Sequence, residues 1–236
     1  MTHDTDRQLL VALQLADSFF PTGMYAHSQG LESMVAWRWV HSADDVQQML
    51  ANLLTWSVLP SDGVALLNAR RAAGRADSSE LVAIDWNLHA MKLPAETRAA
   101  SRQTGRRILD ESALLLGSDQ PCPVYERYRT DVASQRAPGT GAVALGATAC
   151  AAGIPPQTAL LMFCHSFAVG VLGAAQRLLP MTHSEAQQIL HSLHEPIAAM
   201  SNEIQHRPWQ QMTAFAPQSD IASMLHECDD LRMFAS

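Results

Sequence analysis

"GAVALGATACAAGIPPQTALLMFCHSFAVGVLGAA", residues Gly141 to Ala175, carries no Asp, Glu, Lys or Arg, and the charge-free run extends from Ala137 to Gln176. A stretch this apolar either crosses a bilayer or lies at the centre of a folded bundle. Thr158 to Ala175 approaches the ~20 residues that a transmembrane helix needs. His165 and Ser166 fall at its middle, however, and no Trp or Tyr flanks it as an interfacial belt. The preceding Gly141 to Gly153 is too short for a returning span. Two central, fully buried apolar helices fit better, and they set the fold class as all-α.

On either side of this run apolar residues recur at helical spacing, while strand-like alternation is nearly absent. "RQLLVALQLADSFF" predicts a first helix, ended by Pro21-Thr22-Gly23, and a second is expected from near His27. Ser42 and Asp45 have the spacing of a capping box. Pro60-Ser61-Asp62 predicts a new helix start, and Ser78 or Ser79 the cap of the next. Pro94 suits the first turn of a long helix that Gly117 closes. Shorter helices follow at 122–135 and 141–152, and Pro155-Pro156 introduces the apolar helix to Leu179. Thr182 with Glu185 caps a helix that Pro196 kinks or splits. The expectation is one bundle of about ten helices spanning 1–236, with irregular residues 1–8 and an irregular tail from about 205.

Composition narrows the chemistry. A net charge of −7 argues against nucleic acid, which is bound through clustered Lys and Arg. Charged residues make up only 17%, which suits a surface covered by partners. Lys92 is the sole lysine, so Schiff-base chemistry has one candidate. Cys122, Cys150, Cys164 and Cys228 are far apart without a CxxC pair, which suggests a reducing cytoplasm rather than a disulfide framework. Asp4 and Asp6 stand where an export signal needs positive charge.

Catalytic signatures are few. Gly141 to Gly146 has P-loop glycine spacing, but Ala147 replaces the phosphate-binding Lys. No GxSxG elbow is present. His191 and His194 share a helical face and, with a carboxylate, are the candidates for a small metal-dependent enzyme. His226, Glu227 and Cys228 are weaker candidates, offering transient ligands if the tail is flexible, while Cys164 and His165 diverge around their helix as core residues. Arg98, Arg102 and Arg106 lie four apart on one face. They read either as arginines tied to local carboxylates and helix C-termini or as a stripe facing an anion or a partner.

Three segments in order resemble the urease accessory protein UreF family. "LQLADSFFPTGMYAHSQGLE" (Leu13 to Glu32) is similar to its N-terminal segment, "ETRAASRQTGRRIL" (Glu96 to Leu109) to its Glu-x-Arg helix, and "DIASMLHECDDLRMFAS" (Asp220 to Ser236) to its C-terminus. The resemblance implies a non-enzymatic, cytoplasmic, all-helical homodimer without a cofactor of its own. It would act with UreD (UreH), the GTPase UreG and apo-urease in nickel insertion, nickel and GTP belonging to the GTPase. On that basis the candidate partner-binding residues are Tyr25, Ser28, Gln29, Gly30, Glu32, Arg98, Arg102, Arg106, His226, Glu227, Arg232 and Phe234. Ser28, Gln29 and Glu32 fit a subunit contact or a water-lined passage as well as a purely internal polar network. The chain departs from the family at Gly139-Thr140-Gly141-Ala142, where a His and a Pro are missing. It departs again in the tail at Leu225, Asp230 and Ala235.

Overall fold

The computed structural model describes residues 2–22, 28–117, 122–227 and 234, and among these there is helix but no strand. The helices are α1 (Thr2–Ala16), α2 (Leu31–Ala36), α3 (Ala43–Gly74), α4 (Ser78–Met91), α5 (Ala95–Leu116) and α6 (Pro123–Ala133). After them come α7 (Gly141–Ala151), α8 (Pro156–Leu178), α9 (His183–Ser192), α10 (His194–Ile204) and α11 (Pro217–His226). One core runs through them, centred on α7, which is buried from Gly141 to Ala149. The second half of α3 and α5 flank α7. At Gly146 a methyl group would lie 2.6 Å from the Leu66 carbonyl oxygen, so these helices approach more closely than any side chain allows. The α8 helix is central on one side only: Leu160, Phe163 and Cys164 are buried, whereas Leu161 and His165 face out. By length and composition α3 and α8 are each apolar enough to cross a membrane, yet most of each apolar stretch is packed inside the bundle.

Several local expectations hold and several are corrected. Both capping boxes form: Asp45 N–H donates to Ser42 Oγ (3.2 Å) and Ser42 N–H to Asp45 Oδ2 (3.0 Å), with Thr182 and Glu185 paired likewise. The helix around Pro196 splits at Leu193 into α9 and α10, because the proline ring lacks a donor and crowds the preceding turn. Residues 2–8, expected to be irregular, are helical, and Asp6 suits the positive end of a helix dipole. Asp77, rather than Ser78 or Ser79, caps α4 by accepting Glu80 N–H at 2.9 Å.

Pro60 does not start a helix but lies within α3, where Leu54–Gly63 widens into π-helical turns and Val64 N–H reaches back to Leu59 O. The wider turn makes room for the ring. Pro60 cannot donate to the Trp56 carbonyl, and Phe215 N–H does so instead at 2.8 Å. Thr213 N–H likewise donates to Pro60 O at 3.2 Å. The segment before α11, expected to be loose, is thereby pinned to a helix whose own ladder is interrupted.

The departing segment Gly139-Thr140-Gly141 closes on a buried carboxylate. Asp85 accepts Tyr128 O–H (2.7 Å), Gly139 N–H (2.7 Å), Thr140 N–H (2.9 Å) and Thr140 Oγ1–H (2.5 Å). Burial pushes the Asp85 carboxyl above its ordinary range, and these four donors pull it back part of the way.

Candidate functional site

Three segments far apart in sequence meet at one junction. Gln29 and Gly30 both adopt positive φ, 55° and 80°, and turn the chain into α2. The turn aims the Gln29 carbonyl at α11, where Ser219 Oγ donates to it at 2.6 Å. The absent side chain of Gly30 lets α11 seat directly on this turn, since a methyl group there would stand 2.9 Å from Ser219 O and 3.0 Å from Ala222 Cβ.

At the far end of α11, His226 is buried between two carboxylates. Its Nε2 lies 3.1 Å from Glu32 Oε2 on α2, and its Nδ1 3.0 Å from Glu96 Oε2 in the first turn of α5. Each ring nitrogen thus lies within hydrogen-bonding distance of a carboxylate oxygen. Glu96 N–H in turn donates to Glu227 Oε1 (3.1 Å), which occupies a free amide of the α5 N-terminus. Phe234 N–H donates to Glu32 Oε2 (3.0 Å), and its buried ring lies 5.7 Å from the Arg177 guanidinium carbon on α8. The network ties α2, α5 and α8 to the tail.

Beneath α11 is a cavity of about 140 Å³, lined by Asp62, Lys92, Ser101, Thr104, Phe163 and Asp220 among others. The single lysine reaches both Asp62 oxygens, at 2.8 and 2.9 Å, and Ser61 Oγ donates to the same carboxylate at 3.0 Å. Asp62 lies on the π-helical turns of α3. Burial raises the Asp220 carboxyl, and the Lys92 charge opposes the rise. A cavity with this polar lining suits ordered water.

Of the candidate partner-binding residues, Ser28, Gln29, Gly30, Glu32, His226, Glu227 and Phe234 come together at the junction, while Tyr25 and Arg232 lie outside the described residues. Ser28 is fully buried, and the Glu32 side chain retains 18% exposure. Glu32 thus serves the internal network. The flexible-tail reading of His226 is corrected, because its ring nitrogens are engaged and buried; Cys228 lies outside the described residues. The arginine stripe is not one surface. Arg98 donates to the Lys92 and Leu93 carbonyls, both at 2.6 Å, and so caps the end of α4. Arg102 is half-buried, and Arg106 is exposed. Among the described residues none of the three forms an ion pair with a carboxylate. His191 and His194 are exposed with their rings edge to face, centroids 5.2 Å apart, and no group of three metal-ligating residues occurs among the described residues. Sequence reasoning missed Glu96 as a site residue, although it opens one of the quoted motifs. It also missed Ser219 and Arg177, for which no local pattern exists.

Comparison with known proteins agrees with the family that the three segments resemble. A model of the UreF family matches residues 40–194. The chain is 28% identical to the urease accessory protein UreF of Photorhabdus laumondii, covering 97% of this chain and 98% of that protein. It is 31% identical to UreF 2 of Brucella canis over 96% of this chain and 91% of the relative. Against UreF of Trichodesmium erythraeum it is 32% identical, over 96% of each. The chain that folds around the Glu32–His226–Glu96 junction belongs to the UreF family of urease accessory proteins.

Proposed function

We propose that this protein is a non-enzymatic cytoplasmic scaffold, working as a homodimer, which with UreD (UreH) recruits the GTPase UreG for nickel insertion into apo-urease. In this reading nickel and GTP are carried by the GTPase, and the scaffold positions it and modulates its hydrolysis. Family membership supports the urease context. One structural observation carries the scaffold role: a groove of about 490 Å³ beside the junction, walled by Met49, Trp39, Trp56 and Phe215. The last three are 51%, 60% and 71% exposed. Aromatic side chains left in water this way mark contact surfaces, where they supply much of the binding energy. The groove's floor is the same α3 segment to which the chain before α11 is pinned, so tail and groove form one rigid face. Elsewhere, Leu9, Leu10 and Leu13 of α1 expose a leucine ridge suited to a second copy.

Co-purification with UreD and UreG tests the proposal. The wild-type chain is expected to capture both, and the Trp56→Ala/Phe215→Ala variant to lose at least about tenfold in UreD affinity with unchanged helical content. Failure of the wild type to capture either protein would overturn the scaffold reading. Full capture by the variant would instead remove the groove from it.

A further inference from the structure

Between the short turn Trp209–Gln211 and the body of α11 the chain forms a strap, residues 213–218. Its two ends are anchored, since Met212 before it and Ser219 after it are buried. No side chain from Thr213 to Gln218 is buried, and Phe215 is 71% exposed. The middle is held by two main-chain bonds to α3, Thr213 N–H to Pro60 O and Phe215 N–H to Trp56 O. Few buried contacts and a pair of backbone bonds are the properties of segments that open locally while the fold stays intact. The strap is also a partition. Ala214 lines the inner cavity that holds Lys92, Asp62 and Asp220, Phe215 lines the aromatic groove outside, and Ala216 lines both.

We propose that residues 213–218 are a lid on the Lys92 cavity. The lid breaks its two bonds to α3, swings on the Met212 and Ser219 anchors and joins groove to cavity, so that water and small solutes reach Lys92, Asp62 and Asp220. The closed state dominates and forms the face described above. Opening is a brief excursion in which α3 keeps its place. In the closed state the Lys92 side chain is 14% exposed and its ammonium is spent on Asp62, so its reactivity reports the lid. It is also the sole lysine, which makes that signal unambiguous. The lid is independent of the urease reading and stands or falls separately.

The test measures amide hydrogen exchange and the acetylation of Lys92 by N-hydroxysuccinimide acetate, both on the full chain and both read by peptide mass spectrometry. In the wild type the 213–216 segment should exchange faster than the buried α7 residues Ala144 and Ala147, at a rate that low urea leaves unchanged, as local opening requires. Phe215→Pro deletes one of the two tethers, because proline has no N–H. It should raise the Lys92 acetylation rate about tenfold while α7 exchange stays as in the wild type. Phe215→Ala keeps the amide and should acetylate at the wild-type rate. Exchange of 213–216 at the α7 rate, with the same urea dependence, would overturn the lid. So would Phe215→Pro acetylating no faster than the wild type, or no faster than Phe215→Ala.

Discussion

At Gly30 the backbone φ of 80° and the 2.9 Å approach to Ser219 O leave no space for a methyl group. Gly30→Ala should cost about 2–3 kcal/mol, read as a lower urea midpoint, with faster proteolysis within α11 as the sign that the tail has lifted. An unchanged midpoint would show that the turn relaxes. Asp85 makes a second residue-scale case. Its four donors come from α6 and from the connection into α7, so Asp85→Ala leaves several buried groups unpaired and should cost about 3–5 kcal/mol. Asp85→Asn should also destabilise, because its amide NH₂ must face at least one donor. Chemical denaturation of both variants checks this, and wild-type stability in Asp85→Asn would count against the carboxylate as acceptor. The sequence offered no hint of this role, since an Asp on an amphipathic helix reads as solvated.

Among the elements, α3 and α9 begin with capping boxes whose carboxylates, Asp45 and Glu185, are held below their ordinary range. The cap hydroxyl of Ser42 or Thr182 is the leading cause in each case. A folded value below the unfolded one means that each cap contributes stability above the unfolded value and loses it as pH falls through the folded one. Urea midpoints measured from pH 6 down to pH 3 should therefore fall more gently in Ser42→Ala/Thr182→Ala than in the wild type. Parallel curves would show that the caps add no pH dependence. These boxes were legible because a cap is local: Ser-x-x-Asp and Thr-x-x-Glu carry their partners within one turn. Pro60 was misread for a related reason. A proline ordinarily marks a helix start, and only the tertiary contact from Phe215 to the Trp56 carbonyl shows how α3 continues through it.

For the molecule as a whole, the tail is part of the packing and not an appendage. Removing residues after Ala216 uncovers the cavity and leaves Glu32 and Glu96 without the imidazole between them. His226→Ala alone should cost about 2–4 kcal/mol, and the truncation more, with partner capture lost in both. A truncated chain as stable as the full one would show that the junction adds nothing to the fold. The sequence by itself determined the all-helical class, the buried apolar α7, the capping boxes and the family. Each rests on periodicity, neighbours within a turn or residue order, and all three survive in a one-dimensional string. Only the tertiary structure decided that Glu32, Glu96 and His226 form one network and that Lys92 is spent on Asp62. Those partners lie tens to nearly two hundred residues apart, and their pairing is set by how helices pack, a long-range property that no local spacing encodes.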